Sequence, residues 1–330
     1  MTPSDFSRFA LIWAVVALLA GCGGSQPPIG APGAMPQTST LATQANHGKA
    51  WILPQAKHRA LLYVSFYPEN GDAAVQILTY PEGRRVGMLS GFATPYGSCA
   101  DNRGNVFVTD WYRQEIVEYA HGGTSPIATL ADSGYAPGYC SFDSTTRNLA
   151  VSNMSTASGG AGNIAIYANE QGTATLYSDP GVGDYWSCGY DNKGSLFLAG
   201  REYRSGDPTF AELPKGSSTF LTLSLPFPVD AGIQWDGEYV AVGSVINEEN
   251  ARIYRLDVSG STVTVKGTVS LEHGEHKVNL IGFVWIGGRR LLASLPNSVA
   301  FWSYPEGGEM TRRLRYRSRG LTVSYPGKPE

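Results

Sequence analysis

The chain has 330 residues with a formal net charge of −3, and this near-neutral balance argues against nucleic-acid binding, which needs a basic face. Hydrophobic residues make up 42% and aromatic residues 11% of the chain, which excludes a disordered protein. The length suits one large all-β domain or two domains of ordinary size.

The first 21 residues have the pattern of an export signal. Arg8 gives a short basic region, and an uninterrupted apolar run of twelve residues, Phe9 to Ala20, follows it. A helix of this length reaches only about 18 Å, too short for the roughly 30 Å hydrocarbon core of a bilayer. The run therefore indicates a removable signal and not a permanent membrane span.

The residues Leu19-Ala20-Gly21-Cys22 end this signal. They resemble a bacterial lipobox, in which small residues precede a cysteine that becomes the lipid-modified first residue of the mature protein. The resemblance implies lipidation at Cys22 and anchoring by several acyl chains in the bacterial cell envelope. Because Gly23 and not Asp follows, it also implies the outer membrane. The alternative is an ordinary secretory signal followed by an unrelated cysteine.

Residues 22–50 are the predicted link between the lipid and a folded domain. From Gly23 to Lys49 the composition is mainly Gly, Pro, Ser, Thr, Gln and Ala, with almost no large apolar side chain. Such a segment cannot bury enough surface to offset its ordering entropy. We expect a flexible tether with an r.m.s. reach of about 30 Å, followed by a single domain over residues 51–330.

Short β-branched and aromatic runs, each closed by Gly, Asn or Asp, recur after Trp51. An apolar run after a polar turn occurs six times, at residues 61–65, 105–109, 148–152, 195–199, 238–242 and 290–294. A strand that runs into a turn follows each copy, at residues 77–83, 116–123, 164–172, 210–218, 253–261 and 301–308. A third unit precedes copies two to five and ends in a turn aspartate: Asp101, Asp143, Asp191 and Asp236.

The period of this repeat predicts the fold. Successive copies of the second unit lie 39 to 48 residues apart, and four strands per repeat at this period are typical of a β-propeller. Six copies predict an all-β, six-bladed propeller with four antiparallel strands in each blade. The segment Pro95 to Asp110, with the pattern P-x-G-x-x-x-D-x-x-G-N-V-F-V-T-D, resembles the NHL-type propellers, in particular a family of bacterial lipoproteins with a six-bladed ring. The resemblance extends from Trp51 to the C terminus and implies fold far more than function.

The end of the chain predicts how the ring closes. The outer strand of the last blade is expected near residues 311–316, so the apolar segment 320–325 is not needed to complete that blade. We predict that this segment is the innermost strand of the first blade, beside Leu62–Ser65, because the overlap removes an open sheet edge. The competing interpretation gives that place to Trp51–Pro54.

Three cysteines lie on predicted innermost strands. Cys99 precedes its turn aspartate by two residues, whereas Cys140 and Cys188 precede theirs by three. Since side chains alternate along a strand, Cys99 and Cys140 can face each other between two blades, and export favours a disulfide there. The alternative is that both are small buried side chains at a tight blade interface. The spacings follow the repeat, so no metal site is predicted.

Propellers bind ligands mainly where the loops from strand 4 to the next strand 1 meet the loops from strand 2 to strand 3. The predicted ligand-binding residues on these loops are Tyr96, Asp110, Trp111, Tyr112, Arg113, Tyr139, Asn153, Tyr185, Trp186, Arg201 and Tyr203. Aromatic rings beside planar polar groups suit sugar rings or extended peptides. The alternative is that the aromatic residues only seal the blades and that the charged groups are solvated.

The sequence offers little for catalysis. His273 and His276 share one such loop with Glu275, but an H-x-x-H pair without further ligands is a weak signal. No nucleophile elbow or phosphate loop is visible, and neither catalytic residues nor a cofactor are predicted. We expect a monomer that is lipid-anchored to the membrane and serves as a binding platform for a glycan, a peptide or an envelope protein. The alternative is an envelope enzyme, a lyase or lactonase assisted by a metal.

Overall fold

The computed structural model describes residues 48–66, 72–247, 250–272, 284–295 and 297–327. These belong to one compact unit. They form strands and two short 3-10 turns, Pro54–Ala56 and Ala168–Glu170. Within these ranges no helix has the length and apolar character needed to cross a membrane.

The strands form six antiparallel sheets, which are the blades of a propeller. Blade 1 consists of β1 (Trp51–Ile52), β2 (Leu61–Phe66), β3 (Ala74–Thr79), β4 (Arg85–Leu89) and the C-terminal β26 (Gly320–Ser324). Blade 2 consists of β5 (Pro95–Ala100), β6 (Val106–Asp110), β7 (Glu115–Tyr119) and β8 (Pro126–Ala131). Blade 3 consists of β9 (Tyr135–Phe142), β10 (Leu149–Thr156), β11 (Ala161–Tyr167) and β12 (Thr175–Tyr177).

The remaining three blades follow the same order. Blade 4 consists of β13 (Val182–Tyr190), β14 (Leu196–Glu202), β15 (Pro208–Leu213) and β16 (Leu221–Thr222). Blade 5 consists of β17 (Ile233–Trp235), β18 (Val240–Asn247), β19 (Asn250–Ser259) and β20 (Thr262–Glu272), with β24 (Gly308–Glu309) added in parallel to its edge. Blade 6 consists of β21 (Val284–Gly287), β22 (Arg290–Leu295), β23 (Ser298–Ser303) and β25 (Arg312–Leu314).

The innermost strands form a closed ring. Contacts join them in the order β26, β5, β9, β13, β17, β21 and back to β26. The predicted six-bladed fold and its closure by the C-terminal strand are therefore confirmed, since β26 pairs with β2 from Leu61 opposite Ser324 to Ser65 opposite Gly320. The competing interpretation of Trp51–Pro54 is wrong: β1 pairs with β4 and forms the outer edge of blade 1.

The hydrophobic core lies between blades and not inside any one of them. One cluster combines Leu61 and Val75 of blade 1 with Val106 and Val108 of blade 2. Another combines Phe197 of blade 4 with residues of blade 5. Because each sheet buries apolar side chains against its neighbour, no blade is stable alone, and the ring is the unit that folds.

Two faces of the ring follow from this topology. The upper face carries the loops from strand 4 to the next strand 1 and the hairpins between strands 2 and 3. The lower face carries the hairpins between strands 1 and 2 and between strands 3 and 4. On the lower face each turn aspartate accepts hydrogen bonds from backbone N–H groups of its own hairpin, at Asp101, Asp143, Asp191 and Asp236.

Candidate functional site

Asp110, a predicted upper-face residue, ends β6 with no exposed surface. Its Oδ2 accepts a hydrogen bond of 2.7 Å from the Ala93 N–H, and its Oδ1 accepts one of 2.8 Å from the Thr94 N–H. The Nε of Arg113 lies 3.8 Å from Oδ2. Both carboxylate oxygens thus fix the loop before β5 by hydrogen bonds, so Asp110 supports the upper face as a buried residue.

Three predicted aromatic residues form a cluster at the upper end of the channel. The rings of Trp111 and Tyr139 each meet the ring of Tyr96 edge to face, at centroid distances of 5.3 Å and 5.4 Å. The Tyr139 hydroxyl lies 3.5 Å from the carbonyl oxygen of Arg319, just before β26. Edge-to-face ring contacts therefore link blades 2 and 3, and the Tyr139 hydroxyl links both to the segment before β26 of blade 1.

Asn153 and Tyr185, also predicted for the site, are fully buried. The Nδ2 of Asn153 donates a hydrogen bond of 2.8 Å to Oδ1 of Asn163 on the neighbouring strand. The Tyr185 hydroxyl accepts one of 2.6 Å from the N–H of Asp179. Both side chains hold loops in place and contribute no exposed surface.

The remaining predicted residues are accessible. Tyr112 and Tyr203, in the hairpins between strands 2 and 3 of blades 2 and 4, are 77% and 67% exposed. The Arg201 guanidinium lies 5.5 Å from the ring centroid of the half-buried Trp186, a cation–π contact. The upper face thus consists of exposed tyrosine and arginine side chains on loops that buried polar groups fix.

Cys99 and Cys140 are joined by a disulfide, with their Cα atoms 5.6 Å apart. It links the innermost strands β5 and β9, and hence blades 2 and 3. Cys188 is a free, buried cysteine, and burial raises the pKa of its thiol to about 12.

A cavity of about 330 Å³ occupies the lower end of the channel, opposite to the predicted mouth. Trp235, Trp285 and Tyr325 line it together with the disulfide. Both side-chain amide atoms of Gln234 are engaged, because they pair with the backbone N–H and carbonyl of Ile286 at 2.8 Å and 2.7 Å. Sequence reasoning missed these aromatic residues; the tryptophans on innermost strands of blades 5 and 6 are the signal that could have found them.

Asp101, Glu118 and Glu170 are the one acidic group among the described residues with three oxygens mutually within 4.8 Å. Arg103 lies in this group, with Nε 2.9 Å from Asp101 and Nη2 2.5 Å from Glu170. Burial raises the pKa of Glu118, and the charges of Glu170 and Asp101 raise it further. Because guanidinium nitrogens already lie between the carboxylates, we interpret the group as an ionic link between blades 2 and 3.

Cys22, His273, Glu275 and His276 lie outside the described residues, as do the predicted signal, residues 1–21, and the predicted tether up to residue 47.

No protein-family model matches this sequence, and no curated protein matches it either. A chain from the crystal structure of a nidogen/laminin complex is similar in fold, with a TM-score of 0.63 at 14% sequence identity, over 82% of this chain and all of that one. So is a functionally unknown protein from Desulfotomaculum acetoxidans DSM 771, with a TM-score of 0.56 at 9% identity, over 81% of this chain and 99% of that one. At these identities the similarity is one of fold alone.

Proposed function

We propose that this protein is a lipid-anchored binding platform of the bacterial cell envelope and that it holds a partner protein on its upper face. One observation carries the proposal. Among the exposed large hydrophobic side chains of the described ranges, Tyr112 and Tyr203 have the largest exposed fractions, and both belong to this face. Tyrosine and arginine are the residues that most often dominate the binding energy of protein interfaces.

The frame below these side chains suits this use. The hairpin that carries Tyr112 begins at Asp110, whose carboxylate fixes the adjoining loop. The backbone N–H of Tyr203 donates a hydrogen bond of 2.9 Å to the carbonyl of Gly181 in the preceding loop. Aromatic residues on a fixed backbone lose little conformational entropy on binding, which favours affinity.

The fold comparison supports the same function at a coarse level. One protein of similar fold was crystallised as part of a nidogen/laminin complex. A propeller is thus compatible with a role in protein association, although the fold does not specify a partner.

Site-specific photo-crosslinking tests the upper face. A photoreactive amino acid replaces Tyr112 or Tyr203 in the full chain in intact bacteria, and Glu306, half-exposed on the lower face, is the matched position. We expect one discrete protein adduct from both upper positions and none from position 306. Equal adducts from all three positions, adducts from none, or an adduct with a glycan in place of a protein would contradict the proposal.

The lipid anchor has its own test. Cys22→Ser removes the sulfur that the lipobox resemblance assigns to the lipid, so the protein should move from the membrane fraction to the soluble fraction. Ser25→Ala, three residues further on, leaves the lipobox unchanged and serves as the control. Mass spectrometry of the N-terminal peptide checks the modification directly. An unlipidated N-terminal peptide in the wild-type chain would contradict the anchor.

A further inference from the structure

Two lower-face hairpins have nearly the same sequence but different surroundings. The hairpin of blade 2 reads Asp101-Asn102-Arg103-Gly104-Asn105, and that of blade 4 reads Asp191-Asn192-Lys193-Gly194-Ser195. The second and third strands of the two blades also pair in the same register: Phe107 lies opposite Glu118 in blade 2, and Phe197 lies opposite Glu212 in blade 4. The two sites therefore place an aspartate and a glutamate in equivalent positions.

In blade 2 the two carboxylates have partners from within the chain. The Nε of Arg103 lies 2.9 Å from Oδ2 of Asp101. The Asn105 amide donates hydrogen bonds of 3.2 Å to Asp101 and 2.8 Å to Glu118. A guanidinium and an amide thus fill the space between the acids.

In blade 4 neither partner is present. Oδ1 of Asp191 accepts the N–H groups of Lys193 and Ser195 at 2.8 Å and 2.9 Å, but no described donor reaches its Oδ2. Glu212 is only 9% exposed, and its carboxylate has no hydrogen bond or ion pair with any described residue. A carboxylate that lines a cavity and has no partner from the chain keeps its hydrogen-bonding capacity for a ligand, so a charged donor that pairs with it gains binding free energy.

Asp191 is also the exception among the four turn aspartates. In the other three a side-chain donor reaches Oδ2: Arg103 at Asp101 (2.9 Å), Thr145 at Asp143 (3.1 Å) and Arg255 at Asp236 (2.6 Å). The other repeats of the same molecule thus show which donor groups bind Oδ2 of a turn aspartate. In two of the three cases the donor is a guanidinium.

The unpaired acids open into a cavity of about 580 Å³ between blades 4 and 5. The aromatic residues Phe197, Trp235 and Tyr239 also line it. These rings give the cavity aromatic walls, and the Tyr239 ring already contacts a guanidinium, since Cζ of Arg255 lies 4.7 Å from its centroid. The size is within the range of small-molecule sites.

The arrangement favours an organic cation over a metal ion. Metal ligands have to converge, and among the described residues the acids of this cavity do not form a group of three oxygens within 4.8 Å, as those between blades 2 and 3 do. Of the four acids that line the cavity, Glu238 pairs with Arg255 and Asp257 with Lys266. Asp191 and Glu212 have no cationic partner within the described ranges, and two such carboxylates suit a guanidinium, whose donors form a fork.

We propose that the cavity between blades 4 and 5 binds a guanidinium-bearing ligand, with Asp191 and Glu212 as its partners. The site lies on the lower face and does not depend on the proposed protein partner of the upper face. A free guanidinium compound and an arginine side chain of a peptide share this chemistry.

Calorimetric titration of the purified propeller with N-acetyl-arginine amide tests the proposal, and N-acetyl-citrulline amide is the uncharged isostere. We expect binding of the arginine compound only, and an affinity at least about tenfold weaker for Glu212→Gln and for Asp191→Asn. Asp207→Asn, which removes an exposed carboxylate on the opposite face, should bind as the wild type does. Agmatine and an arginine-containing tripeptide then distinguish a free ligand from a side chain.

A second variant fills the site from within. Lys193→Arg combined with Ser195→Asn recreates the blade 2 hairpin, so the new guanidinium should pair with Asp191 and the new amide with Asp191 and Glu212, which should raise the melting temperature and abolish binding. Binding of both isosteres alike, unchanged affinity in Glu212→Gln, or full binding by this double variant would overturn the proposal. So would a calcium-dependent rise in melting temperature through Glu212 without binding of the arginine compound.

Discussion

Asp132 and Asn153 present two buried oxygen atoms without donors. The residues are 3% and 0% exposed, and Nδ2 of Asn153 donates a hydrogen bond of 3.3 Å to Oδ1 of Asp132. Oδ2 of Asp132 and Oδ1 of Asn153 have no partner among the described residues. Burial raises the pKa of Asp132 to about 6, because the charged carboxylate loses its water while Asn153 and Tyr167 compensate only in part.

The sign of this shift gives a pH-dependent prediction. An acid whose pKa is raised in the folded state destabilises the fold progressively between its unfolded and folded pKa values, here from about pH 4 to about pH 6. Asp132→Asn removes the charge and supplies an N–H for Oδ1 of Asn153. We expect the free energy of unfolding to rise by about 2–3 kcal/mol near pH 8 and to change much less near pH 4. Urea denaturation at both pH values measures this change in the free energy of unfolding. A variant that is equally destabilised at pH 8 and pH 4 would contradict the raised pKa of Asp132.

The burial of single side chains is the part of the candidate site that the sequence could not show. Tyr112 and Tyr185 were both assigned to upper-face loops by the same repeat, yet one is 77% exposed and the other fully buried. Asp110 ends a strand in the predicted place, but its role became visible only with the two backbone N–H groups that reach it. Such differences depend on how a loop folds back over its own blade, and the period of the repeat does not encode that.

At the scale of elements, the disulfide holds together strands β5 and β9 of neighbouring blades. The bond closes a segment of 41 residues, so the combined change Cys99→Ala and Cys140→Ala should lower the free energy of unfolding by about 4 kcal/mol through the entropy of the unfolded chain. Chemical denaturation with and without a reductant measures this. Reductant should lower the stability of the wild type and leave the double variant unchanged, since Cys188 is buried and free. A double variant as stable as the oxidised wild type would show that the bond adds nothing.

Strands were predictable where the apolar pattern repeats. All six apolar runs lie on second strands of blades, because a strand between two packed blades is apolar on both sides. Runs 61–65 and 290–294 fall inside their strands, and the other four begin one or two residues before theirs. The added strand β24 was not predictable: two residues, Gly308 and Glu309, carry no pattern, and they pair with blade 5 only because the hairpin of blade 6 reaches its edge.

At the scale of the whole molecule, the first and the last described strands both belong to blade 1, at opposite edges of its sheet, but they contribute unequally. All five residues of β26 are buried, and the strand contacts the innermost strands of blades 2 and 6 as well as β2. β1 has two residues on the outer edge, where Trp51 is 39% exposed. The ring is therefore closed by the C-terminal strand, and β1 covers an edge that is already outside the core.

This asymmetry predicts a large difference between two matched truncations. Removal of residues 320–330 opens the ring and exposes the inner edge of β2, so we expect the cooperative thermal transition to be lost. A chain that begins at Leu53 lacks β1 alone among the described strands and should unfold cooperatively, close to the melting temperature of a chain that begins at Gly48. If the first truncation cannot be purified, two point variants replace the pair. Leu321→Ala should lower the free energy of unfolding by about 2–5 kcal/mol. Trp51→Ala should lower it by less than about 1.5 kcal/mol, because it removes only a partly exposed ring and its contact with Arg85. Calorimetry on the four proteins measures this; equal losses at the two ends would show that closure does not depend on the C-terminal strand.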